Sequence, residues 1–264
     1  MKKKGHSIDP LGFVLPLVFL IVWYSATAGG RVPSYLLPGP ERFLRSFVDF
    51  AAGTAHLSPY SGTLMGNLTA SCIRVFCGFG IAAFFGLVLG FLTGRIGLIK
   101  RFLEPTVNLI RAVPGIGWLP IAMVWFGVGE KTTVFLIALA AFFPIYINAA
   151  HGATEVPLLL IRAGRMLGAN KIELCKSVIL PSAIPSVVVG LRLGLGVSWA
   201  YLVLGELTGV SKGLGAVMMD SRMLGQIELI PVTMVCIAVL GKLTDMLLLY
   251  FYGMIYPYPA GGVK

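Results

Sequence analysis

The chain has 264 residues, 57% of them hydrophobic and only 12% charged, against about 25% charged in a soluble domain. A soluble globule of this length cannot cover so much apolar surface, and a disordered chain is poor in hydrophobic residues, which leaves an integral membrane protein. The net charge of +10 is scattered between apolar runs with no basic patch interleaved with aromatics, so it reads as membrane topology and not as nucleic-acid binding.

A helix needs about 20 apolar residues to cross about 30 Å of hydrocarbon. The first such run is Leu11–Ala28, preceded by Lys2, Lys3 and Lys4. Ala26-Thr27-Ala28 would fit a signal-peptide cleavage site, but the run is long for that role and further spans follow, so a retained helix is preferred. Residues 29–66 are polar and rich in Pro and Gly, an outer loop expected to hold a short amphipathic helix from Glu41 to Phe50. Residues 1–60 thus form a helix-and-loop region ahead of a transmembrane domain at 61–253 and a cytoplasmic tail at 254–264.

The second expected span is Leu68–Gly94 and the third Phe102–Phe126, the latter interrupted by Glu104, Arg111, Pro114, Gly115 and Pro120. Such breakers are tolerated where backbone faces protein or a water-filled cavity, not lipid. Thr132–Ala150, Ser182–Leu207 and Ile230–Tyr252 complete a count of six, giving an all-α membrane fold. Lys and Arg number eleven on the side of the N-terminus and six on the other, which puts both termini in the cytoplasm and makes 151–181 the largest cytoplasmic loop.

Within that loop, residues 158–181 read LLLIRAGRMLGANKIELCKSVILP. Apolar residues recur at roughly helical spacing among Arg162, Arg165, Lys171, Glu173 and Lys176. Gly168 offers a break between two short helices, and Pro181 suits the first turn of the next. The pattern predicts an amphipathic helix–turn–helix lying below the membrane, and a plain pair of interfacial helices fits it equally well.

This segment resembles the EAA loop of binding-protein-dependent ABC transporter permeases, E-A-A-x3-G-x9-I-x-L-P. Ala163 and Gly164 stand for the paired alanines, Gly168 for the glycine, Val178 for the isoleucine, and Leu180-Pro181 for the end. Arg162 stands where the family has its glutamate, a departure that bears on that residue's ionic contact and not on the shape of the turn. LLPGPERFLRSF (36–47), ASCIRVFCGFG (70–80), LPSAIPSVVVGLRLGLGVSW (180–199) and LGKLTD (240–245) resemble the subfamily that takes up nitrate, sulfonates, taurine and bicarbonate.

The resemblance implies a type I permease subunit in the bacterial cytoplasmic membrane, with an EAA-type coupling loop at 155–181 between its fourth and fifth helices. It implies a homodimer, a separate ATP-binding subunit seated on that loop, and a periplasmic or lipid-anchored solute-binding protein. The cargo would be a small solute, an anion such as a sulfonate, taurine or nitrate. No G-x-x-x-x-G-K-[ST] occurs, so no P-loop binds ATP in this chain, and neither a catalytic cluster, a metal cluster nor a cofactor motif stands out. A secondary transporter working without an ATPase is the alternative, although only the third span looks broken and no internal repeat is visible.

Charges inside spans are costly and usually face an interior or a partner. Lys242 and Asp245, at i,i+3, are expected to pair with each other, and Arg74 and Glu206 to snorkel at the outer ends of their helices. Arg111 and Arg192 are candidates for the translocation pathway of an anion, with an interhelical tie as the alternative for either. Gly86, Gly90 and Gly94, like Gly190 and Gly194, recur every four residues and mark close helix packing, within the chain or between subunits. The G-x-S-x-G string at 209–213 matches a nucleophile elbow in letters only, since no strand precedes it.

Overall fold

The computed structural model describes residues 11–28, 32–33 and 35–255. Lys2, Lys3, Lys4, Arg31 and the tail from 256, on which part of the orientation count rests, lie outside the described residues. Among the described residues all regular structure is helical, and the chain divides into two compact units.

The first unit joins Met1–Met65 to Val217–Val235. Its α1 (Leu11–Ala28) is apolar on every side. At its end the Trp23 ring meets Phe43 edge-on with centroids 5.8 Å apart, and its Nε1 donates to the Pro38 carbonyl at 3.1 Å. The amphipathic pattern around Glu41 becomes α2 (Pro40–Ala52), started by a proline whose missing N–H costs nothing there. It stops at Gly53, left-handed at φ 67°, whose N–H returns to the Asp49 carbonyl.

The buried Asp49 carboxylate organises the following loop, accepting from the N–H groups of Ala55 at 2.9 Å and Leu57 at 3.0 Å and from the Ser61 hydroxyl. Burial by itself would raise its pKa; these donors outweigh that and hold it below the ordinary 3.8. Tyr60 donates to Asp220 at 2.6 Å, and burial together with that carboxylate pushes the phenol up to about 12.

The second unit joins Gly66–Ala216 to Cys236–Lys264. Its helices are α3 (Leu64–Arg95), α4 (Gly97–Ala112), α5 (Leu119–Phe126), α6 (Glu130–Thr154), α7 (Leu158–Met166), α8 (Lys171–Leu174) and α9 (Leu180–Glu206). α10 (Leu214–Met223) and α11 (Leu229–Ile255) each run across the boundary between the units. By length and composition α3, α6, α11 and the continuous helix Lys171–Glu206 are able to cross a membrane, and the α4–α5 pair makes a fifth if taken as one span.

That pair replaces the single third span expected over Phe102–Phe126: two helices bent by 90° around a 3-10 turn at Gly115–Trp118. The cause is local. Pro114 forces Val113 into extended backbone, φ −74° and ψ 121°, which ends α4, and Pro120 sits in the first turn of α5.

Glycine brings the long helices together. A Cβ at Gly90 of α3 would stand 2.8 Å from the Ala149 Cβ of α6, and one at Gly86 would stand 2.9 Å from Ile145 Cγ2. From α9, a Cβ at Gly190 would meet Asn148 and one at Gly194 would meet Ile145. The glycine rows therefore pack within the chain, backbone against side chain, as small residues allow in lipid. Val75, Ile137, Leu195, Trp199 and Leu202 form a buried core between these helices, and the Trp199 indole is satisfied by Thr244 Oγ1 at 3.0 Å.

Candidate functional site

The helix–turn–helix at 158–181 is built from two caps placed back to back. At the end of α7, Gly168 is left-handed at φ 81°; its N–H donates to the Arg165 carbonyl and that of Ala169 to the Gly164 carbonyl, a Schellman motif. Two residues later Asn170 caps α8. Its side chain accepts from the N–H groups of Ile172 and Glu173, while the Glu173 carboxylate accepts from the Asn170 N–H at 2.9 Å. Sequence reading found Gly168 but passed over Asn170-x-x-Glu173, whose spacing was legible as a capping box.

The other residues of the motif fall around this turn. Gly164 lets α7 close on α8, since a Cβ there would stand 2.7 Å from Leu174 Cδ1. Val156, Ile161, Leu174 and Ile179 are buried beneath, with Val178 and Phe91 packed against them. Arg162, Ala163, Gly168, Leu180 and Pro181 are exposed. At the tip stand Met166, 89% exposed, and Leu167, 88% exposed, two apolar side chains with no part in the fold beneath them. The turn is a rigid apolar knob among the cations Arg162, Arg165 and Lys171.

Pro181 stands in the first turn of α9, as expected, but no break precedes it. The chain runs helically from Lys171 to Glu206 through a π-helical segment at Cys175–Ile179. There the Leu180 N–H reaches back five residues to the Cys175 carbonyl and the Ser182 hydroxyl takes the Val178 carbonyl at 2.7 Å, so a proline lacking its N–H is absorbed without a break.

Arg74 and Glu206 do not snorkel. Both are fully buried and paired with each other. The Arg74 guanidinium is also forked onto Glu130, with Nε 2.6 Å from Oε2, so α3, the start of α6 and the end of α9 share one ionic joint. Glu206 further accepts from the Ser71 hydroxyl and the Gly215 N–H, each at 2.7 Å. A buried charge needs this many partners. The 209–213 string is a turn laid over the same joint, with the Gly213 N–H donating to Asn67 Oδ1 at 2.9 Å.

Asp245 does not take Lys242 as its partner. It receives both ends of the Arg192 fork, Nε at 2.7 Å and the terminal nitrogen at 3.0 Å, because the planar guanidinium on α9 satisfies both carboxylate oxygens where one ammonium cannot. Arg192 is thus an interhelical tie. Arg111, in the last turn of α4, has no ion-pair or hydrogen-bond partner among the described residues and lines a cavity at the bend with Trp118 and Tyr201.

A family model described as the inner membrane component of binding-protein-dependent transport systems matches residues 83–257. SsuC of Bacillus subtilis (strain 168), named as an aliphatic sulfonates transport permease, is 36% identical over 234 residues, 89% of this chain and 82% of its own. TauC of Escherichia coli (strain K12), a taurine transport system permease, is 35% identical over 198 residues, 75% of this chain and 71% of its own. In fold, a chain of the MetNI methionine ABC transporter in an inward-facing conformation aligns with a TM-score of 0.63 at 21% identity, covering 73% of this chain and 96% of that one.

Proposed function

The chain belongs to the family of inner membrane components of binding-protein-dependent transport systems, the permeases of ABC importers, and from that premise we propose its place in the assembly. It is one half of a homodimeric pathway with six spans per subunit, α1 being the first and the α4–α5 pair counted once, and both termini in the cytoplasm. Arg162, Ala163, Gly164, Gly168, Val178, Leu180 and Pro181 shape the turn on which a separate ATP-binding subunit sits. A solute-binding protein delivers a small sulfonate from outside. ATP is bound and hydrolysed in the partner alone. The family assignment answers the alternative of a self-sufficient secondary transporter.

One observation carries the coupling role: a turn secured by its own backbone bonds presents Met166 and Leu167 bare on the loop between α6 and α9. Apolar side chains exposed together on a rigid element suit a complementary groove. Because the turn continues into α9 through Lys171–Glu206, a displacement of the knob is delivered to the span itself. The sulfonate assignment rests on the names of the two curated relatives.

The test is reconstitution of the permease with its ATP-binding and solute-binding partners in proteoliposomes. Labelled taurine or an alkanesulfonate is expected to enter only with ATP. The double variant Met166→Ser, Leu167→Ser is expected to insert and fold normally, yet to lose ATPase stimulation by loaded binding protein about tenfold. Normal stimulation in that variant would sink the coupling role.

A further inference from the structure

The break between α4 and α5 encloses a cavity of about 180 Å³ lined by Arg111, Gly115, Trp118, Phe143 and Tyr201 among others. Its depth follows from three helices. Arg111 lies ten residues beyond Arg101, about 15 Å along α4. Phe143 lies near the middle of α6 (Glu130–Thr154), and Tyr201 five residues before the end of α9. The cavity therefore lies between helices long and apolar enough to cross a membrane, beside a discontinuous pair, where a charged side chain marks a solute path more often than an accident.

The polar groups there are of one kind. Arg111 carries five N–H donors and no acceptor, and it has no partner among the described residues. Trp118 Nε1, donor only, is buried without a hydrogen-bond partner among the described residues. The Tyr201 hydroxyl is pressed against Gly115, into space that any Cβ at 115 would fill. Neither Asp nor Glu lines the cavity. The buried Trp118 N–H is costly to leave unpaired, Arg111 beside it is exposed on the open side of the cavity, and an acceptor with negative charge there would satisfy both.

We propose that this cavity is a transient anion site on the translocation path, in which Arg111 neutralises the cargo and the Trp118 indole N–H and Tyr201 hydroxyl hold its oxygens. This rests on the permease reading above and names the residues that touch the cargo. A volume of about 180 Å³ holds on the order of six waters. That suits a sulfonate head carrying one or two carbons. The site holds its charge without burying a countercharge from the protein, so release needs only that the bend open. Gly115 is part of the device, because its bare backbone is what admits the Tyr201 ring.

The experiment measures labelled taurine or methanesulfonate carried per ATP hydrolysed, with loaded binding protein in excess, in proteoliposomes of the complete transporter. Trp118→Phe and Tyr201→Phe, which keep the rings and remove one donor each, are expected to lower that ratio about tenfold. Gly115→Ala, which displaces the Tyr201 ring but keeps its hydroxyl, is expected to act like Tyr201→Phe. Arg111→Gln is expected to reduce carriage to background while loaded binding protein still stimulates ATPase activity, and Arg111→Lys to restore part of it. Wild-type ratios in both Trp118→Phe and Tyr201→Phe would overturn the site. If the wild-type complex carries no sulfonate at all but imports another solute, the substrate reading fails. The site is then judged separately by whether these variants change the ratio for that solute.

Discussion

The two ends of the helix Lys171–Glu206 are held by opposite means. At its Lys171 end the turn at Gly168 is closed by backbone bonds and a capping box, all of its ionic side chains are exposed, and two apolar side chains stand bare. At its Glu206 end Arg74 and Glu206 are fully buried, locked to Ser71, Gly215 and Glu130. An end secured by local backbone and capping bonds loses little when its surface is altered and is free to be pushed. An end secured by buried charge is expensive to disturb, so it serves as the fixed point.

The sharpest way to break the comparison is at the fixed end. Glu206→Leu leaves Arg74 buried with half its partners gone and is expected to destabilise the protein by about 3–5 kcal/mol, read as thermal unfolding in detergent. Restoring a hydrophobic pair with Arg74→Met in the same chain is expected to recover most of that loss, because removing both charges is far cheaper than stranding one. No recovery would mean the joint is held by something other than its charges.

At the free end the effect is smaller and of another kind. Gly168→Val places a β-branched residue at φ 81° and is expected to cost about 1–2 kcal/mol locally, while Gly168→Asn, which tolerates that conformation, is expected to be nearly silent. Space does not decide this, since nothing lies within 4 Å of where a Cβ would be. Only the valine variant is expected to uncouple ATP hydrolysis from uptake; equal coupling in both would remove backbone geometry from the explanation.

The smallest expected effect concerns a carboxylate buried with neutral donors instead of a guanidinium. The folded pKa of Asp49 lies below 3.8, so its contribution is complete above that value and fades as pH falls through the folded pKa. Hydrogen exchange at the Ala55 and Leu57 amides, corrected for intrinsic rate, is expected to show protection at pH 5 that declines at lower pH. Asp49→Asn is expected to flatten that dependence.

The sequence yielded most of the architecture because lipid imposes a strong local rule: a run of apolar residues and its breakers are visible residue by residue. Gly168 and the amphipathic pattern around Glu41 were equally local signals. What escaped was pairing across distance. Arg74 and Glu206 stand 132 positions apart and Arg192 and Asp245 stand 53 apart, and each charge alone was read as snorkelling, as a pathway candidate or as pairing with its own neighbour. Trp118 and Tyr201 gave no signal either, since only the bend at Pro114 brings an indole and a phenol to the same cavity as Arg111.

The glycine rows set a rule for motion. A side chain at Gly90 or Gly194 has no room, so α3 and α9 cannot screw along α6 by one residue, about 1.5 Å of rise with about 100° of rotation, without bringing Phe91 or Leu195 to a position that admits only hydrogen. The three helices are meshed like teeth. Whatever rearrangement accompanies transport must carry them as one body, and the flexing has to occur where no such mesh exists.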